Sequence, residues 1–305
     1  MGHLSDPGPD TGSFTIASVK DSSKDSDWKY SRAIALPESY SSPPTIGLGL
    51  NSIDCGAQPG DNIRIQADVS MINDKAFQVS VEKWNNSILN DATLVWTESA
   101  KGAKDTKIGS WSNKNRDQKQ SGDITFDTPF EEPPTIVLWL KKLDLTGASN
   151  VTSWHVHTYA TDITSKGFKV HIDTWGHNKI YSVNVTWIAI KKGKKNMHCG
   201  QFVEAGAVSK PQKEKEKRIE FPEGKFKNKP TVLSGLSMID HPAKNPVKVA
   251  SVVEVVSKEG FTWRMETGTR ITLLLGRDWW YGTAAPAWQV TRRGSVRYAV
   301  WDWGK

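Results

Sequence analysis

Cysteine is scarce in this chain, with two residues in 305. Cys55 and Cys199 lie far apart, and neither belongs to a CxxC or to a Cys/His pattern with metal-ligand spacing. We therefore expect two free thiols and no metal site. Small secreted β domains usually depend on disulfides, so this scarcity favours a reducing compartment.

Long apolar runs are also missing. No stretch approaches the roughly 18 apolar residues of a membrane-spanning helix, so we expect no membrane insertion. The first residues, MGHLSDPGPDTG, contain no basic segment followed by an apolar one, and so do not resemble a signal peptide. The expected location is cytoplasmic, which leaves secretion by an unconventional route open.

Signatures of catalysis are missing too. We find no nucleophile elbow with a Ser-His-Asp order and no phosphate-binding glycine loop. A glycoside hydrolase needs two carboxylates across a cleft; Glu82 and Asp173 occupy equivalent points, but neither has a matching partner in the sequence. We predict a protein that is not an enzyme and needs no cofactor.

The net charge of +7 would permit nucleic-acid binding, but its distribution argues against it. Lysines crowd residues 191–195 and 210–229, where glutamates interrupt them, as in a solvated connector. Aromatic residues lie in the strands instead, so we expect no nucleic-acid partner.

Tryptophan, by contrast, is abundant at 14 residues, and it recurs within an internal repeat. Three segments open on a Gly-x-aromatic triplet, pass through a Pro-containing turn into a Pro-Thr-Ile/Val strand, and reach a Leu/Ile-Asp pair. That pair ends at Asp54, Asp144 and Asp240, where a turn-forming role suits the carboxylates better than binding. We place the repeats at residues 10–100, 105–193 and 198–305.

Beyond that Asp, each repeat contains further short strands. Strict alternation marks NIRIQADV, SWHVHTYA and PVKVASVV, and an aromatic residue opens AFQVSVEKW, GFKVHIDTW and GFTWRMETG. Short strands separated by turn residues, without a helical period, predict an all-β chain of three tandem antiparallel β-sandwich domains.

These motifs, in this order, resemble the H-type lectin domain, the family of snail agglutinins and the discoidin C-terminal domain. The likeness is strongest in residues 109–192, good in 12–98 and weaker after about 262. It implies six strands per sandwich and terminal N-acetylgalactosamine or galactose as ligand, without a metal or cofactor. Because the family associates as trimers, three copies on one chain suggest an intramolecular pseudo-trimer, with a beads-on-a-string arrangement as the rival.

The resemblance also implies which residues bind the sugar. They are an Asp in a polar turn, an Arg on the next alternating strand, and a Trp with its following residue and a Tyr. In the first repeat these positions hold Asp25, Arg64, Trp84 and Asn85, with Asn90 at the Tyr position. The second repeat offers Asp117, His155, Trp175, Gly176 and Tyr181, and His155 in place of Arg has fewer donors when neutral.

The third repeat has lost most of this set. It has no Asp in GAVSKPQKEKEK, and it has Lys248 at the Arg position and Gly268 at the Trp position. We expect it to contribute at most one wall of a cleft, with the insertion around Trp279-Trp280-Tyr281 as an alternative platform.

Each candidate also has a structural interpretation. Asp25 lies in a polar turn, Arg64 alternates with Ile63 and Ile65 and so faces away from the core, and Trp84 and Trp175 could be edge-packing residues. Whether repeats bind glycans, or act as a scaffold or toxin that contacts proteins, is not decided by fold alone. The prediction is a multivalent lectin for glycans or glycoproteins, and higher oligomers remain open.

Overall fold

The computed structural model describes residues 11–16, 27–36, 39–56, 61–85, 87–146, 151–195, 197–207, 216–243, 246–267 and 291–301. Within these ranges the secondary structure is β-strand, with turns and bends between strands. No helix in this described part is long and apolar enough to cross a membrane. Asp25, Gly268 and the Trp279 insertion lie outside the described residues.

Eighteen strands are described, six in each of three successive units. The first unit contains β1 (Thr11–Ile16), β2 (Trp28–Ala35), β3 (Thr45–Cys55), β4 (Ile63–Ser70), β5 (Ala76–Lys83) and β6 (Leu89–Ser99). The second contains β7 (Thr106–Ser112), β8 (Lys119–Thr125), β9 (Thr135–Leu145), β10 (Ser153–Thr161), β11 (Gly167–Asp173) and β12 (Ile180–Ile190). The third contains β13 (Met197–Ala207), β14 (Lys217–Glu220), β15 (Thr231–Pro242), β16 (Val247–Glu254), β17 (Gly260–Thr267) and β18 (Thr291–Trp301).

Each unit contributes three strands to each of two sheets. Each six-stranded sheet therefore contains strands from two units. The strand orders are β1-β6-β3-β16-β17-β14, β2-β5-β4-β9-β12-β7 and β13-β18-β15-β10-β11-β8. Each unit is thus a sandwich of two three-stranded halves, and its halves continue into different neighbours. The three shared sheets connect each unit to both of the others in a ring, whereas beads on a string would keep the sheets of each unit separate. Sharing also pairs sheet edges that a lone sandwich would leave open.

The strand pairs that join the units are equivalent in register. They are β4 with β9, β10 with β15, and β16 with β3. The residues directly opposite each other at the same point are Arg64 and Asp144, His155 and Asp240, and Lys248 and Asp54. Because the same positions meet at each junction, the units are related by an approximate threefold axis.

The core follows from the alternation read in the sequence. On β4, Ile63, Ile65 and Ala67 are fully buried, whereas Arg64 and Gln66 between them lie on the partly exposed face. This pattern confirms that Arg64 points away from the sandwich interior. Burial of such aliphatic side chains stabilises each unit by about 25 cal/mol per Å² of apolar surface.

Trp139 fills the place where the three units meet. It is 0% exposed and packs in a cluster with Val95 of the first unit and Leu233 of the third. Its equivalents in the neighbours are Gly49 and Gly235. A Cβ added at Gly49 would lie 2.6 Å from the Trp139 Cβ, and one added at Gly235 would lie 2.4 Å from its Cδ1. The centre of the ring therefore has room for one indole, and the two equivalent positions are glycines.

The ring has two distinct ends. The pairing of Ala35 with Ala76 and of Trp28 with Lys83 fixes the direction of β5. The β4–β5 turn and its equivalents β10–β11 and β16–β17 lie at one end, which we call the turn end. Trp84 and Trp175 follow the last residues of β5 and β11 and lie at the opposite end, the site end.

Candidate functional site

Arg64 is engaged by a carboxylate from the next unit. Its Nε lies 3.2 Å from Oδ1 of Asp144, and both side chains are largely buried. Burial raises the pKa of Asp144 above its ordinary value, while the charges of Arg64, Lys142 and Arg116 oppose the rise. Arg64 of the first unit and three residues of the second thus form one charged group, which we call the first junction.

Trp84 stands beside this group. The Lys142 Nζ lies 5.2 Å from the centre of its ring, a cation–π contact between units. Ser87 ties the Trp turn to the Arg64 strand, because its hydroxyl donates to the Arg64 carbonyl at 3.1 Å and to the Trp84 carbonyl at 3.2 Å. These bonds hold the indole and the guanidinium at neighbouring positions.

Asn85 and Gly176 occupy equivalent places after the tryptophans, and both have left-handed backbones, with φ of 51° and 65°. Glycine adopts this conformation freely, and asparagine tolerates it better than most residues. The Asn85 N–H donates to Asp27 Oδ1 at 2.9 Å, so the polar turn before β2 meets the Trp turn. Both residues therefore shape the turn that presents the indole, whatever else they contact.

The second junction repeats this plan with histidine. The His155 and Trp175 rings stack with centroids 4.5 Å apart and planes 26° apart. His155 Nδ1 lies 3.1 Å from Oδ1 of Asp240 in the third unit. That approach is an ionic contact only when the imidazole is protonated, and neither atom satisfies hydrogen-bond geometry. Asn178 holds this Trp turn, since its amide donates to the Ser153 carbonyl at 2.6 Å.

At the third junction, Lys248 Nζ lies 3.2 Å from Asp54 Oδ2. The Asn90 amide donates to the other oxygen of Asp54 at 3.0 Å. The residue that follows β17 at the Trp position is outside the described residues. This junction keeps the ion pair, and the sequence has Gly268 rather than an aromatic residue at the Trp position.

A polar cleft of about 730 Å³ opens at the site end of the second unit. Its lining includes Arg116, Asp117, Gly176 and Tyr181, with the Arg116 guanidinium 4.4 Å from the Tyr181 ring centre. The cleft adjoins the first junction, because Tyr181 directly precedes Ser182, which pairs with Asp144.

The residues predicted for the second repeat lie in one neighbourhood. Asp117, Gly176 and Tyr181 line the cleft. His155 and Trp175 stack beside it, since a Cβ added at Gly176 would lie 3.8 Å from the His155 ring. In the first repeat, Arg64, Trp84 and Asn85 come together, and Asp25 is outside the described residues.

Sequence reasoning missed the partners contributed by neighbouring units. The interpretation of Asp54, Asp144 and Asp240 as turn residues is wrong: each lies within a strand and faces a basic side chain of another unit. The sequence offered one signal, the recurrence of these carboxylates at the same position after a Leu or Ile. It gave no signal for their partners, which lie far away in the chain.

Parts of the chain are similar in sequence to known proteins. A model of the H-type lectin domain matches residues 31–97 and 121–190, within the first and second units. A protein described as ATP synthase subunits region ORF 7, from Fuscovulum blasticum, is 32% identical over 68 residues, which cover 22% of this chain and 56% of that protein. The alignment therefore spans little more than half of that relative.

Among solved structures, wild-type discoidin II from Dictyostelium discoideum is similar, with 13% identity and a TM-score of 0.26. The match covers 59% of this chain and 94% of that one. The H-type lectin model thus matches somewhat less than half of the chain, in one segment of each of the first two units.

Proposed function

We propose that this protein is a multivalent, non-catalytic lectin that binds terminal N-acetylgalactosamine or galactose at the junctions between its units. The carrying observation is the first junction, where Arg64, Asp144 and Trp84 from two units lie together at one end of the ring.

The chemistry of a sugar ring fits these groups. Ring hydroxyls both donate and accept hydrogen bonds, and a fixed guanidinium and carboxylate supply charge-assisted partners. The apolar face of a galactose-type ring can pack on the Trp84 indole. Lys142 covers that indole in the free protein, and its flexible side chain would move aside for a stacked sugar.

The same proposal extends to the second junction, with His155, Trp175 and Asp240 as the equivalent group. Each single site should be weak, since a monosaccharide offers few atoms and its hydroxyls must lose water before they pair. Several sites fixed on one ring would add avidity. We also propose the unit boundaries 10–100, 105–193 and 198–305, with the third a diverged copy.

A glycan array tests the proposal, with wild type beside Arg64→Ala, Trp84→Ala and Trp175→Ala. Lys248→Ala is the matched control, because it removes the equivalent cation from another junction. Loss of one charge-assisted hydrogen bond is worth about 1.5–3 kcal/mol, so Arg64→Ala should weaken binding at the first junction by roughly 10- to 100-fold.

Thermal melting of each variant separates loss of binding from loss of folding. We expect terminal N-acetylgalactosamine or galactose glycans to bind the wild type and the Lys248→Ala control. Binding that survives the Arg64, Trp84 and Trp175 changes would reject the junctions as sites. No binding to any glycan would reject the lectin itself and leave the protein-contact alternative.

A further inference from the structure

The turn end carries an unusual share of exposed apolar side chains. Six large hydrophobic residues are exposed in the described part of the chain, and two of them are the tyrosines Tyr30 and Tyr181. The other four all lie in the turns between β4 and β5, β10 and β11, and β16 and β17; they are Met71, Ile72, Ile163 and Val255. Met71 is 77% exposed and Val255 is 73% exposed.

The three turns have the same construction. In each, a short polar residue donates its backbone N–H to the carbonyl three residues later: Asn73 to Ala76 at 2.9 Å, Thr164 to Gly167 at 2.8 Å and Ser257 to Gly260 at 2.8 Å. Because the three units are arranged around one axis, their equivalent turns lie at the same end of the ring and surround that axis. The apolar groups are therefore presented together.

The backbone of these turns does not favour the residues that occupy them. Met71, Asp162 and Val255 hold equivalent positions with φ of 51°, 51° and 46°. Glycine or asparagine adopts such values readily, whereas a β-branched residue is strained there. Two of three turns thus place an exposed aliphatic side chain where a small polar residue would be more stable, so stability does not explain the choice.

Each turn also carries an exposed lysine, namely Lys75, Lys166 and Lys258, the last of which lies 3.7 Å from the Glu259 carboxylate. The connectors between units reach the same end and add exposed lysines at positions 101, 104, 192 and 195. Several acidic side chains of this end are engaged in ion pairs, among them Asp127 with Lys107 and Glu131 with Lys191. Aliphatic tips beside lysines match the acyl boundary and anionic headgroups of a lipid surface.

We propose that the turn end binds anionic lipid surfaces, with the tips at Met71, Ile163 and Val255 entering the headgroup region and the lysines contacting lipid phosphates and carboxylates. The contact is shallow and peripheral, consistent with short turns rather than a spanning segment. A second copy of the chain is a poorer occupant, because two lysine-rich ends would face each other.

Vesicle co-sedimentation tests this directly. We expect the full chain to bind phosphatidylcholine vesicles containing roughly 30% phosphatidylserine, to ignore pure phosphatidylcholine, and to dissociate as salt is raised. Free N-acetylgalactosamine should have no effect, because the junctions lie at the other end. Failure of glycan binding would therefore leave this result unchanged.

Val255→Asn is the decisive variant, since asparagine suits the left-handed backbone. It should raise the melting temperature yet weaken vesicle binding by about tenfold, as expected when one aliphatic side chain no longer leaves water. Met71→Asn should weaken binding similarly, and Tyr30→Asn, which removes an exposed side chain away from the turns, should not.

The proposal is overturned if phosphatidylcholine and phosphatidylserine vesicles bind equally, if neither binds, or if Val255→Asn leaves binding intact. A concentration-dependent dimer that Val255→Asn abolishes, without vesicle binding, would assign the face to a second copy instead.

Discussion

Moving the central indole from one unit to another would test the arrangement of the ring. Trp139, Gly49 and Gly235 occupy equivalent positions around the axis, and a side chain at either glycine would overlap the indole. Trp139→Gly should empty the centre, and Gly235→Trp should overfill it. The double variant Trp139→Gly/Gly235→Trp restores one indole and two glycines.

The magnitudes follow from burial. Removing a fully buried tryptophan side chain costs about 3–5 kcal/mol, because contacts are lost and the surroundings close only partly. Unfolding entropy of about 2.1 cal/mol/K per residue makes 1 kcal/mol worth roughly 1.6 °C for a chain of 305 residues that unfolds as one unit. Trp139→Gly should therefore melt roughly 5–8 °C lower, and Gly235→Trp should be at least as damaging.

Differential scanning calorimetry of the wild type, both single variants and the double variant measures the coupling between the two sites. If the threefold relation holds, the double variant recovers a large part of the loss, with a coupling energy well above the roughly 0.5 kcal/mol of independent sites. Additive losses would refute the reasoning, since they would mean that Gly235 and Trp139 are not interchangeable positions. A control change in the main core cluster, Trp96→Phe, should show no coupling to Gly235→Trp.

Two further predictions concern buried titratable groups. Burial, with the nearby charge of Asp54, raises the pKa of Asp91 above its ordinary 3.8, so the folded state favours the protonated form and loses stability as the pH rises through that pKa. Asp91→Asn should accordingly melt higher than wild type at pH 7, and the difference should vanish in scans below about pH 3.8; an unchanged melting temperature at pH 7 would contradict this. Burial raises the pKa of the Cys55 thiol to about 12, so Cys55 should not react with a thiol reagent at pH 8 until the chain unfolds, and rapid labelling of both cysteines in the native protein would show that assignment to be wrong.

Local pattern predicted much of the fold. The alternation of Ile63, Arg64 and Ile65 indicated both the strand and the face on which Arg64 lies, and the structure confirms both. Trp96 lies on the closing strand β6 of the first unit, and it is buried against Phe77. These predictions succeed because burial of alternate side chains acts over a few residues and leaves its period in the sequence.

The junctions could not be predicted in the same way. His155 could be read as a weakened copy of an arginine, but its contact with Asp240 requires that β10 and β15 pair across units. Asp144 looked like a turn residue because an Asp recurs at this strand end in each repeat, and its partner Arg64 lies 80 residues away in the chain. Pairing partners 80 or more residues apart leave no local period.

The sequence by itself determined the all-β class, the positions of the strands and the face on which side chains such as Arg64 lie, because hydrophobic alternation and turn chemistry act within short segments. Tertiary structure alone decided that the units share sheets in a closed ring, that one indole fills an axis lined by two glycines, and that each candidate cation meets a carboxylate of its neighbour. Those contacts join positions that only the folded chain brings together. They form because edge strands of different units pair, and because side chains from three units pack into one central space.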